Sequence, residues 1–222
     1  MRKNLTVLFT VTAAAALILV LACAAGKDVA SASTSEVALN AGNNTKTLEN
    51  LQAAFNGESN ANAKYLAFAK KADDEGYKKV ASLFRAAARA EAIHFANHAE
   101  VIKKLGGTPT ADIKAAEVKT TADNLKAAIE GESYERDTMY PDFIAEARAS
   151  NNVEAVKTFN FAKSAEAEHA RLYAEALANL DQWKTGPATF YVCPKCGFTT
   201  QDANLVKCPV DFTPKEKFEA IN

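Results

Sequence analysis

Part of this chain is written twice. Asn50-Leu51-Gln52-Ala53-Ala54-Phe55-Asn56-Gly57-Glu58-Ser59 returns as Asn124-Leu125-Lys126-Ala127-Ala128-Ile129-Glu130-Gly131-Glu132-Ser133. The stretch from Phe84 through Ala90-Glu91-Ala92-Ile93-His94 returns as Phe159 through Ala165-Glu166-Ala167-Glu168-His169. The offset is 74 in the first match and 75 in the second, so one residue is inserted between them. Two matches in one register mean a duplicated unit, and whatever one copy folds into, the other must match.

Each copy reads as two helices. Leu48, Leu51, Phe55, Tyr65 and Ala69 recur at helical spacing, followed by Val80, Phe84, Ala87, Val101 and Leu105. The second copy repeats this with Leu125, Ile129, Met139 and Phe143, then Val156, Phe159, Tyr173, Leu177 and Leu180. Gly76 and Gly106-Gly107-Thr108-Pro109 supply the breaks, and Pro141 inside the third helix should bend it or free a carbonyl. Four helices with a longer crossover around residues 106–120 predict an all-α four-helix bundle over 46–183.

The apolar stripes are interrupted where the core should be. The seams run through Glu58 and Asn62, through Glu91, His94 and His98, through Glu132 and Glu135, and through Glu166 and His169. An ionised carboxylate in a core costs several kcal/mol, and four facing one another cost more. No Lys or Arg lies on the seams at that level, so metal cations are the natural counter-charge. Glu and His three apart share a helix face, and mixed carboxylate and imidazole ligation suits iron or manganese. A lone Glu-x-x-His on an Ala-rich helix is usually a solvated pair. Two of them at equivalent points of a repeat, each with a partner Glu, make the ligand set of ferritin-like dimetal proteins. Glu135 has no equivalent, since Ala61 stands at its place in the first copy, so the two metal positions are not identical.

The flanks carry different information. Arg2 and Lys3 precede an apolar run from Leu5 to Ala22, the layout of a secretory signal over 1–22. Cys23 after a small residue resembles a lipobox and would be lipidated, anchoring the protein to a membrane. Cleavage at Ala30-Ser31-Ala32 and an uncleaved anchor are the other readings. Residues 23–45, poor in anything to bury, read as a flexible tether, and the protein is expected to be exported to a bacterial cell envelope. The remaining three cysteines lie together in the tail, over 188–222. A net charge of −1 offers no basic field for nucleic acid.

Taken together, the Glu-x-x-His pairs, Gly131-Glu132-x-x-Glu135 before Met139-Tyr140-Pro141, and the tail Tyr191-Val192-Cys193-Pro194-Lys195-Cys196-Gly197 with Cys208-Pro209 resemble rubrerythrins. The resemblance implies a ferritin-like bundle with two Fe ions, a C-terminal rubredoxin-like module, and reduction of hydrogen peroxide to water in oxidative-stress defence. It implies that Glu91 and Glu166 bridge the irons, with Glu58, Glu132, His94, His169 and Glu135 as terminal ligands. One iron would shift between His94 and Glu135 as the oxidation state changes. Tyr65 and Tyr140 would hydrogen-bond near the irons, although both read equally well as core aromatics. His98 has no role in this resemblance and reads as a surface or structural histidine. Members of the family are commonly homodimers.

The tail departs from the family. Rubredoxin-like iron is held by four cysteines, but the second pair here reads Cys208-Pro209-Val210-Asp211. A Cys193, Cys196, Cys208 and Asp211 site for one further Fe or Zn is the expectation, with a Cys193–Cys196 disulfide as the alternative. An exported protein also lacks an NAD(P)H pool, so an unidentified redox protein or quinol-linked donor must supply electrons. The competing function is a ferroxidase or iron-binding protein that uses O2.

Overall fold

The computed structural model describes residues 29–184 and 186–222, with side chains from Asn44 onward. The expected signal segment and Cys23 lie outside the described residues. Residues 37–222 form one compact unit, and of the unit before it only residues 29–36 are described. No described helix is long and apolar enough to cross a membrane.

Helix α1 spans Val29–Asp74 and α2 spans Lys78–Lys104. The first helix therefore reaches back into the stretch expected to be a flexible tether. The alanines that leave that stretch nothing to bury are also the strongest helix formers. At the far end, Gly76 takes φ +84°, its N–H meets Asp73 O, and Tyr77 N–H meets Ala72 O. These two bonds satisfy the last carbonyls of α1 and fold the chain back into α2. Seventy-five residues later Asn151, at φ 55°, ends a helix with the same pair of bonds, to Arg148 O and from Asn152 to Ala147 O.

The crossover lies along α1. Gln52 Nε2 donates to Thr110 O, Asn56 Oδ1 accepts from Asp112 N–H and Asn60 Oδ1 accepts from Lys114 N–H, the last two each at 2.8 Å. Four residues of helix rise about 6 Å, close to two residues of extended chain, so side chains one turn apart read alternate peptides.

The third helix is interrupted, as Pro141 requires. It runs as α3 (Thr121–Tyr134), a π-turn (Glu135–Met139) and α4 (Tyr140–Ala149). Pro141 has no N–H for the carbonyl four residues back, and Tyr140 N–H reaches five back to Glu135 O. Glu58 to Tyr65 is seven residues, whereas Glu132 to Tyr140 is eight. The residue inserted between the repeats is thus absorbed by the π-turn, and Glu135 stands at its start. Helix α5 (Val153–Ala178) completes the bundle.

Two apolar clusters fill the interior. One gathers Tyr65, Phe68, Leu83, Phe84, Leu125 and Tyr173, the other Leu51, Ile102, Tyr140, Ile144 and Phe159. A 3-10 turn (Leu180–Lys184) leads to the tail, where β1 (Phe190–Val192) pairs antiparallel with β2 (Thr199–Thr200) and β3 (Glu219–Ile221). The module is clamped to α2 by Arg89, whose Nε and Nη2 donate to Glu219 at 2.6 and 2.7 Å.

Candidate metal centre

Glu58, Glu91, His94, Glu132, Glu166 and His169 are all buried. They form two overlapping groups: Glu58, Glu91, His94 and Glu166 in one, and Glu91, Glu132, Glu166 and His169 in the other. Within each group the ligand atoms lie within 4.8 Å of one another. Glu91 presents Oε2 to His94 Nδ1 at 2.8 Å and Oε1 to His169 Nδ1 at 3.5 Å. Glu166 does the reverse, with Oε1 3.1 Å from His94 Nδ1 and Oε2 2.9 Å from His169 Nδ1. Both carboxylates therefore face both imidazoles.

The residues fit a pair of cations. Glu58 Oε2, Glu91 Oε1, Glu132 Oε2, both Glu166 oxygens and His169 Nδ1 are buried without any hydrogen-bond partner in the protein. A buried polar atom left unpaired costs about 1–3 kcal/mol. The proton equilibria show the same demand for positive charge. Burial, then Glu166 and Glu91, pushes Glu132 up to about 8. Burial opposes a charge on His94, yet Glu166 and Glu91 raise its imidazole to about 10. Burial and then Glu135 lift Glu58 well above the carboxylate range. Protons collect where metal ions would neutralise the carboxylates.

The tautomers of the two histidines follow from their partners. His94 Nε2 lies 3.0 Å from Cys196 O, and a carbonyl can only accept, so Nε2 carries the proton. Thr199 Oγ1 donates to Gly197 O at 3.0 Å and therefore accepts from His169 Nε2 at 3.1 Å. In both rings Nδ1 faces the carboxylates and is the atom that would give its lone pair to a metal ion, the arrangement in which a distal partner orients a metal ligand. Sequence reasoning had no signal for these contacts, because a backbone carbonyl and a threonine in a separate module supply them. Gly197 makes the approach achievable: it takes φ +79°, and a Cβ there would fall 2.3 Å from His94 Nε2.

Tyr65 Oη donates to Glu132 Oε1 at 2.6 Å, and Tyr140 Oη donates to Glu58 Oε1. Each tyrosine thus crosses the bundle to the carboxylate of the opposite copy. Glu135 is not brought into either ligand group; burial, then Glu132, raises its pKa well above the usual range. His98, read as a surface or structural residue, is fully buried, so the surface option is corrected. It continues the α2 stripe of Glu91 and His94 by one more turn.

The tail carries a second donor set. Cys193, Cys196, Cys208 and Asp211 bring ligand atoms within 4.8 Å of one another, and the three cysteines are free rather than paired in a disulfide. Two matching loops hold them. Gly197 N–H bonds Cys193 O and Cys193 N–H bonds Phe198 O; Phe212 N–H bonds Cys208 O and Cys208 N–H bonds Thr213 O. In this correspondence Asp211 occupies the place of Cys196. Its carboxylate lies 3.5 Å from Cys193 Sγ and accepts the Thr213 N–H at 2.9 Å. A buried S3O set of this kind fits one further Fe or Zn ion.

Comparison with known proteins agrees with this geometry. The Rubrerythrin family model matches residues 49–177. Nigerythrin of Nitratidesulfovibrio vulgaris is 41% identical over 175 residues, covering 78% of this chain and 86% of that protein. Rubrerythrin-2 of Clostridium acetobutylicum is 36% identical, covering 80% of this chain and 98% of that one. Among solved structures, fully reduced, all-ferrous nigerythrin superposes with a TM-score of 0.74 at 39% identity, over 78% of this chain and 86% of its own. A bacterioferritin of Desulfovibrio desulfuricans, at 22% identity and a TM-score of 0.60, shares the bundle fold over 64% of this chain and 84% of its own. A ferritin-like bundle with two buried Glu-x-x-His pairs and a cysteine module docked on their histidines places this chain in the rubrerythrin family, with that family's diiron centre.

Proposed function

We propose that the protein is a peroxidase that reduces hydrogen peroxide to two waters, taking up two electrons and two protons. In this reading Glu91 and Glu166, each of which faces both histidines, would be shared by the two irons. Glu58 with His94 and Glu132 with His169 would serve as terminal ligands, and Glu135 would be the alternative ligand on the His94 side. Held there, a ferrous pair would supply the two electrons that cleave one O–O bond. Tyr65 and Tyr140 orient Glu132 and Glu58 through their hydroxyls, and the two apolar clusters exclude bulk water from the site.

The observation that carries this reading is the hydrogen bond between Cys196 O and His94 Nε2. It joins a ligand of the tail ion to a ligand of the diiron site, a contact of use to an enzyme that must be re-reduced. An iron-storing protein that lets ferric iron accumulate has no need of it. The specific observation favouring the second reading, a ferroxidase using O2, is Asp211, because an oxygen ligand or a zinc ion in the tail would slow electron supply. The electron donor is an unidentified redox protein or quinol-linked carrier. The signal-like segment before the described residues supports export, with Cys23 as the lipid attachment point, and the family resemblance supports a homodimer.

Stopped-flow mixing of the anaerobically reduced, iron-loaded protein with hydrogen peroxide and, separately, with O2 tests the reading. Faster oxidation by peroxide is expected. Faster oxidation by O2, with ferric iron accumulating, transfers the assignment to iron handling. Asp211→Cys is expected to speed re-reduction of the oxidised site and to give the tail a four-thiolate iron spectrum.

A further inference from the structure

We propose that Thr158, His98 and Tyr140 form a proton wire leading from a surface groove to Glu58 at the metal centre. The inference rests on the peroxidase reading only for its demand for protons; reduction of O2 would make the same demand. The wire is drawn from α5, α2 and α4 and ends on α1. Thr158 Oγ1 lies 3.0 Å from His98 Nδ1, His98 Nε2 lies 3.2 Å from Tyr140 Oη, and Tyr140 Oη is bonded to Glu58 Oε1.

The partners leave one consistent direction. Tyr140 spends its only proton on Glu58, so it accepts from His98, which must hold its proton on Nε2. His98 Nδ1 is then an acceptor, and Thr158 donates to it. Every hydrogen in the chain points inward. Burial and the neighbouring His94 hold the imidazole neutral, its pKa lowered to about 3, as that pattern requires. At the outer end, Thr158 lines an open groove of about 250 Å³ together with the charged side chains of Glu100, Lys104, Lys157 and Lys195.

A buried histidine with two partners is ordinarily a satisfied core residue. The internal repeat supplies the control that separates the two cases. At the 75-residue offset Tyr65 corresponds to Tyr140, Tyr173 to His98, and Leu83 to Thr158. Tyr65 reaches its carboxylate as Tyr140 does, but it packs against Tyr173 at 5.6 Å between ring centres. The Tyr173 hydroxyl is buried with no partner, and Leu83 beyond it is fully buried. One copy ends in an apolar wall and the other continues in polar groups to solvent.

The transfer balances without any electron moving. Thr158 Oγ1 takes a proton from groove water and releases its own to His98 Nδ1. The Nε2 proton passes to Tyr140 Oη and the phenol proton to Glu58 Oε1, so one proton enters and one arrives.

Nitrogen-15 NMR of the full chain loaded with diamagnetic zinc reads the His98 tautomer without turnover. A neutral Nε2–H ring between about pH 5 and 8 is expected; an Nδ1–H ring, or one that titrates in that window, overturns the wire. His98→Gln keeps a donor for Tyr140 but cannot pass a proton, and Thr158→Val keeps the shape of the outer end. Both are expected to slow oxidation of the reduced iron-loaded protein at least about tenfold, with peroxide and with O2, and to enlarge the solvent deuterium isotope effect. Tyr173→Phe, in the closed copy, is expected to leave both readouts unchanged. Wild-type rates in either wire variant at full iron content, or equal slowing in Tyr173→Phe, would overturn the proposal. The peroxidase reading fails separately, if the unaltered protein prefers O2.

Discussion

The two copies of the helical hairpin agree closely where they hold metal and differ where they meet the rest of the molecule. Glu58 and Glu132, Glu91 and Glu166, and His94 and His169 are equivalent in sequence and in burial. Around them the copies part. The second copy has an extra residue in a π-turn and Glu135 where the first has Ala61. His98 and Thr158 make a polar path, while Tyr173 and Leu83 make an apolar one. His94 is held by a backbone carbonyl of the tail and His169 by a hydroxyl. Binding two like ions wants symmetry, whereas moving protons and electrons in one direction does not. The duplication supplies the first, and later departures from it supply the second.

The largest effect tests the symmetric part. Glu91→Ala and Glu166→Ala each remove a carboxylate that faces both imidazoles. Each is expected to abolish binding of both ions, so that metal analysis of the purified full chain finds almost no iron in the bundle. Retention of one iron in either variant would show that the carboxylates do not serve both positions.

Removing the metal exposes the electrostatic cost that the ions offset. In the metal-free protein Glu132 is raised to about 8 and His94 to about 10. Both groups then hold more protons folded than unfolded, so stability falls as pH rises. The Glu132 contribution is lost between about 4.5 and about 8, and that of His94 between about 6.5 and about 10. The expected loss is on the order of a few kcal/mol, read by denaturant titration across pH. The iron-loaded protein, in which ions replace those protons, is expected to be nearly flat over the same range. A metal-free protein as stable at high pH as at low would contradict the charge balance described here.

The contacts that distinguish the two histidines can be broken one at a time. Gly197→Ala puts a methyl group onto His94 Nε2 and strains a left-handed backbone, at about 1–3 kcal/mol for the strain alone. Thr199→Ala removes one hydrogen bond from His169, worth about 1 kcal/mol. Amide hydrogen exchange in β1 and β2 is expected to accelerate strongly in the first variant and weakly in the second. Equal acceleration would mean that the module does not dock chiefly through His94.

How much of this was legible in the sequence follows from what kind of contact each feature is. The bundle and its ligands were readable because Glu58, Glu91, Glu132 and Glu166 break an apolar periodicity, and a repeat marks them twice. The π-turn left two traces, the one-residue change of offset and Pro141, neither of which locates it alone. His98 lay on the Glu91 and His94 stripe, one turn further along, and that spacing was the signal that it is buried. Its partners, Tyr140 and Thr158, come from other helices and left no local pattern. The docking of Cys196 and Gly197 on His94 was not readable, since a carbonyl and a missing Cβ have no side-chain signature. At the start of α1 composition does not choose, because alanine counts equally toward a tether and toward a helix. Glu135, one turn after Glu132, shares the inner face as helical spacing predicts, and at the start of the π-turn its carboxylate lies outside both ligand groups.

The smallest effect sharpens the comparison most, because it sets equivalent residues against each other. Tyr65→Phe removes one hydrogen bond and strands only its acceptor, Glu132 Oε1, since Tyr65 otherwise packs on Phe68, Phe84 and Tyr173. Tyr140→Phe removes the bond to Glu58 and also the acceptor for His98 Nε2, which is then buried with an unmet donor. A lost hydrogen bond contributes about 1 kcal/mol, and a stranded buried donor adds about 1–3 kcal/mol. Denaturant titration of the iron-loaded variants is therefore expected to show Tyr140→Phe as the more destabilised by at least about 1 kcal/mol. His98→Leu in the Tyr140→Phe background removes the stranded donor and should recover part of the difference. Equal losses in the two single variants would mean that His98 donates no hydrogen bond to Tyr140, and the polar path would not distinguish the second copy from the first.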